Sequence, residues 1–160
     1  VENGAFGKKL ELRHYKSEDA KKALAELGEL PAEKKDRFNA QIFSVELAEV
    51  FATVTRDKAT RAAAGKRLAE FKSAGRLPAG DREAQSFWTL ILDYAEAEKN
   101  VKLFEEALAA MKEKFGSNQR MAGFFKQKED ILAGLKGGGE NPPEPPKEEK
   151  KPDPPKKDEY

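Results

Sequence analysis

The chain contains no cysteine. That excludes disulfides, zinc held by thiolates and thiol catalysis, and it leaves the redox compartment unread. Histidine is nearly as scarce, with His14 the only one. One imidazole without cysteine does not build a common zinc site. It lies in the N-terminal arm, where it is read as a solvated or packed side chain and not as a general base. Long hydrophobic runs are missing: none approaches the roughly 18 apolar residues of a membrane span. No signal-peptide or lipidation motif is read. A charge of one sign is missing too. Charged residues make up 37% of the chain, yet 30 Lys+Arg against 29 Asp+Glu leave only +1. The whole molecule therefore sets up no strong field to collect nucleic acid or membrane.

Motifs of catalysis are also wanting. Gly65-Lys66 is followed by Arg67 inside a helical pattern, whereas a phosphate loop needs Gly, four residues, then Gly-Lys-Ser/Thr after a strand. Ser44, Ser73, Ser86 and Ser117 have no neighbouring pattern of a nucleophile and its base. No acid and base pair stands out among the abundant carboxylates. The reading is a protein that is not an enzyme, with no cofactor.

What is present changes character at Lys136. After Gly137-Gly138-Gly139 comes ENPPEPPKEEKKPDPPKKDEY, with Pro142, Pro143, Pro145, Pro146, Pro152, Pro154 and Pro155 and no aliphatic residue. Such a segment cannot bury enough apolar surface to offset the entropy of ordering it. It is expected to be disordered and partly polyproline II, a spacer or a docking ligand with PxxP spacing. Three parts follow: an N-terminal arm over 1–16, a helical domain over 17–136 and the tail over 137–160. Within the arm, Lys9 to Tyr15 alternates in period two, which suits a short strand packed on the helices or paired with another chain. The chain starts at Val1. If that is a mature terminus left by signal cleavage, a periplasmic or secreted location follows.

Residues 17–136 read as about six antiparallel helices. Ser17 predicts an N-cap, with Glu18 and Asp19 at the positive end of the helix dipole and Gly28 as the stop. Pro31 suits a first helical residue. The helix from there to about Val54 is apolar almost all round its second half (Phe43, Val45, Leu47, Val50, Phe51, Val54), which predicts the central helix. Asp57 predicts a cap for a helix near Lys58 to Ala74. There Ala59, Ala62, Ala63 and Ala64 allow close approach of a neighbour. Asp81 predicts the next cap, before Phe87, Trp88, Leu90, Ile91, Leu92 and Tyr94. Val101, Phe104, Leu108, Met111 and Phe115 form the cleanest stripe. Ser117 or Asn118 opens the last helix. The fold class is all-α, a compact bundle or a stack of hairpins.

Within Trp88 to Phe115, the run Phe104-Glu-Glu-Ala107-Leu-Ala-Ala-Met111 resembles a tetratricopeptide-type helical hairpin. Glu98 stands where that repeat carries a tyrosine, and no proline closes it near Gln119. Lys66-Arg67-Leu68, Gly75-Arg-Leu77-Pro78 and Glu106-Ala107-Leu108 fall in an order similar to the helical bundle of the coat-protein outer-shell subunit and the steroid-receptor RNA activator protein. Both resemblances imply scaffolding or partner binding, and neither supplies a catalytic residue.

Two sets of residues are candidates for binding. At about 100° per residue, Lys58, Arg61, Lys72 and Arg76 fall in one stripe roughly 60° wide. Either these cations pair with glutamates of a neighbouring helix, or they dock RNA, an anionic polymer or an acidic partner. Trp88 and Tyr94, with Phe87, either line a peptide groove or belong to the core. The expected function is a non-catalytic protein–protein interaction module, a subunit or adaptor of a larger complex. The alternative is an anion- or RNA-binding bundle using helix 58–76.

Overall fold

The computed structural model describes residues 16–26, 28 and 30–138. Among them the chain forms six α-helices: α1 (Ser17–Glu26), α2 (Ala32–Ala52), α3 (Lys58–Ser73), α4 (Asp81–Ala97), α5 (Val101–Phe115) and α6 (Ala122–Lys136). One 3-10 turn, Gln119–Met121, leads into α6. No strand occurs among the described residues, and no helix there is long and apolar enough to cross a membrane. The strand-like segment 9–15, His14 within it, and the proline-rich tail lie outside the described residues.

Each helix packs chiefly on its neighbours in sequence, as short connections between antiparallel helices require. The most extensive contact joins α3 to α4, and Gly65 is the reason. A Cβ there would sit 1.9 Å from the Leu90 carbonyl oxygen and 2.7 Å from the Tyr94 Cβ. The alanines of α3 contribute less than their number suggests: Ala64 is buried, whereas Ala59 and Ala63 are exposed.

The central helix is α4, not α2. It lies between α3 and α5 in the contact order and buries Ala84, Phe87, Trp88, Leu90, Ile91, Leu92 and Ala95. Phe43, Val45 and Phe51 of α2, and Val54 just past its end, keep partial exposure, because among the described residues only α1 and α3 pack extensively against that helix. Apolar residues all round a helix thus mark here a helix with an open side. The main core runs from Leu47 on α2 to Phe125 on α6. A separate, smaller cluster of Ala20, Phe38 and Ile42 joins α1 to the first half of α2.

Helix ends follow the side chains in three places. Asp57 accepts from the Thr60 amide at 3.1 Å, Asn100 from Leu103 at 3.0 Å and Asn118 from Arg120 at 3.1 Å, each tying down a donor the helix cannot use. Three expectations are corrected. Pro31 precedes the first helical residue, and its carbonyl accepts from the Lys34 and Lys35 amides. Gly80, not Asp81, holds the cap position of α4, and Asp81 is the first helical residue. Ser17 does not cap its own helix. Its amide and hydroxyl donate to Glu49 of α2 at 2.8 and 2.6 Å, so the carboxylate that serves the start of α1 comes from another helix.

Two helices end in Schellman motifs. At α3, Gly75 has φ +73°, its amide donates to the Lys72 carbonyl, and the Arg76 amide donates to Phe71. At α4, Lys99 takes the same role with φ +53°, and Asn100 donates back to Ala95 before capping α5. The first motif takes Arg76 off the helix and leaves it facing back toward α2.

Candidate functional site

Arg76 meets α2 at Glu46. That glutamate follows Ile42 by one turn and shares its face with Val50, so the helix carries it inward, and it is only 4% exposed. Burial pushes its carboxyl up, but hydrogen bonds and charge from Arg76 and Lys21 outweigh that and hold it below the ordinary value of 4.5. Lys21 of α1 lies 2.6 Å from Glu46 Oε1 and also reaches Glu18 at 3.0 Å. The hydrogen bond to Glu46, then that to Glu18, raises its ammonium above the ordinary 10.5. The Arg76 guanidinium bonds Glu46 Oε2 while resting over the rings of Phe43 at 4.6 Å and Phe71 at 5.2 Å. One turn further along α2, Glu49 receives Ser17. The Ser17 hydroxyl and then its amide lower that carboxyl too.

Lys21 and Arg76 also line a groove of about 660 Å³ between α1, the start of α2 and the loop after α3. Leu24, Leu30 and Ile42 give it apolar surface. Lys21, Lys35 and Arg76 give it positive charge, Asn39 adds an amide, and among the described residues no carboxylate lines it. Lys35 is exposed and makes no ion pair among the described residues. A second groove, about 800 Å³, lies where α2, α3 and α4 meet. It mixes Arg61, Arg82 and Glu83 with Phe51, Val54 and Leu90, so it has no single electrostatic character.

The sequence candidates are placed as follows. Arg61 is bound to Asp93 of α4 at 2.7–2.8 Å, and Lys72 to Glu106 of α5 at 2.6 Å. Arg76 lies beyond the end of α3, so the continuous basic stripe breaks there. Lys58 is exposed and carries no ion pair among the described residues. Three of the four cations therefore hold carboxylates of neighbouring elements. Trp88 is 8% exposed and meets Phe87 edge-on at 5.2 Å between ring centres; it belongs to the core. Tyr94 is half-buried beside Gly65. Neither aromatic lines a groove, and only Arg76 of the six borders the first groove.

Sequence reasoning missed Lys21, Lys35 and Glu46. The available signal was Glu46 itself, an acid set on the inward face with Ile42 and Val50. Asp93 plays a comparable part on α4. It takes Arg61 on one oxygen and Lys128 of α6 on the other at 3.5 Å, and Lys128 reaches Glu96 at the same distance. Lys128 is nearly buried beside the rings of Phe104 and Phe124, and its charge is matched twice, which fits a structural role. No group of three or more metal-binding side chains occurs among the described residues.

Compared with models of known protein families, with curated proteins and with solved structures, the chain matches none.

Proposed function

We propose that the chain is a non-catalytic helical interaction module, a subunit or adaptor of a larger assembly. The observation that carries this reading is the groove beside α1 and α2, with apolar surface beneath and three cationic side chains around it. Such a lining offers contact area and charge selectivity to another protein. The N-terminal arm and the proline-rich tail serve this reading as further contact or tether elements. The alternative, RNA or anion binding along helix 58–76, has less to work with, because Arg61, Lys72 and Arg76 already hold Asp93, Glu106 and Glu46.

The test is amine crosslinking in a source extract, with the full chain as bait and mass spectrometry as readout. Crosslinks from a stoichiometric partner to Lys21 or Lys35 support the reading. A chain recovered with no partner overturns it. Nucleic acid retained at low salt and lost steeply as salt rises moves the function to the alternative.

A further inference from the structure

We infer that the groove between α1 and α2 receives an acidic amphipathic helix of a partner protein. The inference rests on the interaction-module reading and adds the chemistry of the partner.

The end of the molecule formed by α1 and α2 is underfilled. Its core cluster holds three buried residues, Ala20, Phe38 and Ile42, while the main core holds seventeen. Leu24 and Leu30 pack against the small cluster but stay partly exposed. In stacked helical hairpins each pair buries its remaining apolar face on the next pair. Beside Leu24, Leu30 and Ile42 the described residues supply no further helix, and a groove of about 660 Å³ takes its place. That volume lies within the roughly 300–1,000 Å³ of binding clefts. The groove sits between two helices, and a helix laying its apolar side on them completes the packing that α4 has with α3 and α5.

Charge decides which helix. Among the described residues Lys21, Lys35 and Arg76 border the groove, and no carboxylate does. Glu46 neutralises part of this charge from beneath and fixes Lys21 and Arg76 in position. Lys35 has no partner among the described residues. An incoming helix with leucines on one side and glutamates flanking them meets both features. A basic helix meets Lys35, unpaired among the described residues, and finds no acidic side chain in the described lining. Leu77 follows Arg76 in the chain and is 52% exposed, the large apolar side chain most open to solvent in the described residues.

The test uses the full chain and a fluorescent synthetic helix with leucines at i, i+3, i+4 and i+7 and glutamates between them, read by anisotropy. The expected result is saturable binding. Glutamine in place of glutamate in the probe weakens it about tenfold, and Lys35→Glu in the protein weakens it at least about fivefold. Lys126→Glu, at an exposed position on α6, leaves it unchanged. Lys35 is also exposed, so both variants keep their helical circular dichroism. Equal binding of the glutamate and glutamine probes, or equal loss in the two variants, overturns the inference. So does a synthetic peptide of residues 140–160 that binds as tightly as the probe, which makes the chain's own tail the occupant. Self-association blocked by Lys35→Glu makes a second copy the occupant and overturns it as well. If the probe fails while extract crosslinks map to another face, the interaction reading survives and only the groove assignment falls.

Discussion

At the scale of single residues, small groups with no room to grow and charges with no water do most to hold this fold. Gly65 lets α3 touch the backbone of α4. A methyl group there meets the Leu90 carbonyl at 1.9 Å, so the helices must separate and the core beneath them loosens. Gly65→Ala is expected to destabilise by about 2–3 kcal/mol, lowering the thermal midpoint followed by circular dichroism by roughly 10 °C. A midpoint within error of wild type would mean that α3 and α4 are not this close. Lys99 presents the opposite case, a side chain where none is wanted. Its φ of +53° costs a non-glycine residue roughly 1 kcal/mol. Lys99→Gly should raise the urea midpoint by about 0.5–1 kcal/mol of stability with an unchanged slope. A lower midpoint would show that its side chain contributes something a glycine loses. Glu46→Gln removes the charge that Lys21 and Arg76 share. Breaking a buried pair costs up to about 3–5 kcal/mol, but these cations are 41% and 35% exposed and can rehydrate, so about 2 kcal/mol is expected in urea unfolding.

At the scale of elements, α1 is the piece held least by apolar packing and most by charge. Its ties to α2 are the small cluster, Ser17 on Glu49 and Lys21 on Glu46. Glu46 and Glu49 both have carboxyls held below 4.5, so their contribution is present above that value and lost as pH falls through their folded values. Lys21 is raised above 10.5, so its contribution is intact below that value and lost only in stronger alkali. Between the two limits the docking of α1 should be flat with pH. Protection of the Ala20 and Ala23 amides from hydrogen exchange should therefore be lost as pH falls below 4.5 before that of α4 is. Protection of α1 and α4 lost together would show that α1 is part of the main cooperative unit.

This is also the scale at which the sequence was readable and then ceased to be. The period of Val101, Phe104, Leu108 and Met111 placed α5, and the local caps Asp57 and Asn100 placed helix starts, because each depends on residues a few positions apart; Asn118 caps the 3-10 turn, and α6 starts only at Ala122. The centre of the fold was misread. Apolar content around α2 matched that of a buried helix, but which helix is enclosed depends on which neighbours arrive on both sides. Ser17 was legible as the start of α1 and not as a donor to Glu49, 32 residues away. The groove was invisible for the same reason. Its lining comes from α1, α2 and a loop more than thirty residues further along, and Arg76 reaches it only because Gly75 turns the chain off α3.

At the scale of the whole molecule, charge is matched across helices and not merely along them. Arg61 and Lys128 converge on Asp93, Lys72 binds Glu106, Lys112 binds Glu129 and Lys136 binds Glu105. A chain with 30 cations and 29 anions can thus be highly charged and still lack an outward field. Individually the exposed pairs among them, Lys112–Glu129 and Lys136–Glu105, contribute little, about 0–1 kcal/mol each. Every residue of the core described above lies before Gly137. A chain ending at Gly138 is expected to keep its helical circular dichroism and its thermal midpoint. A loss of either would show that the tail stabilises the helices.

The packing of each helix on its sequence neighbours has a kinetic consequence. Most native contacts close short loops, so the relative contact order is low, and little chain entropy is lost before a contact forms. Folding should be fast and should begin where two long helices can meet with the least hindrance, at the Gly65–Leu90 crossing. It then spreads outward in both directions, to α5 and α6 on one side and α2 on the other. On this pathway α1 joins last and leaves first, so the end of the molecule formed by α1 can open and close many times without the rest of the chain unfolding.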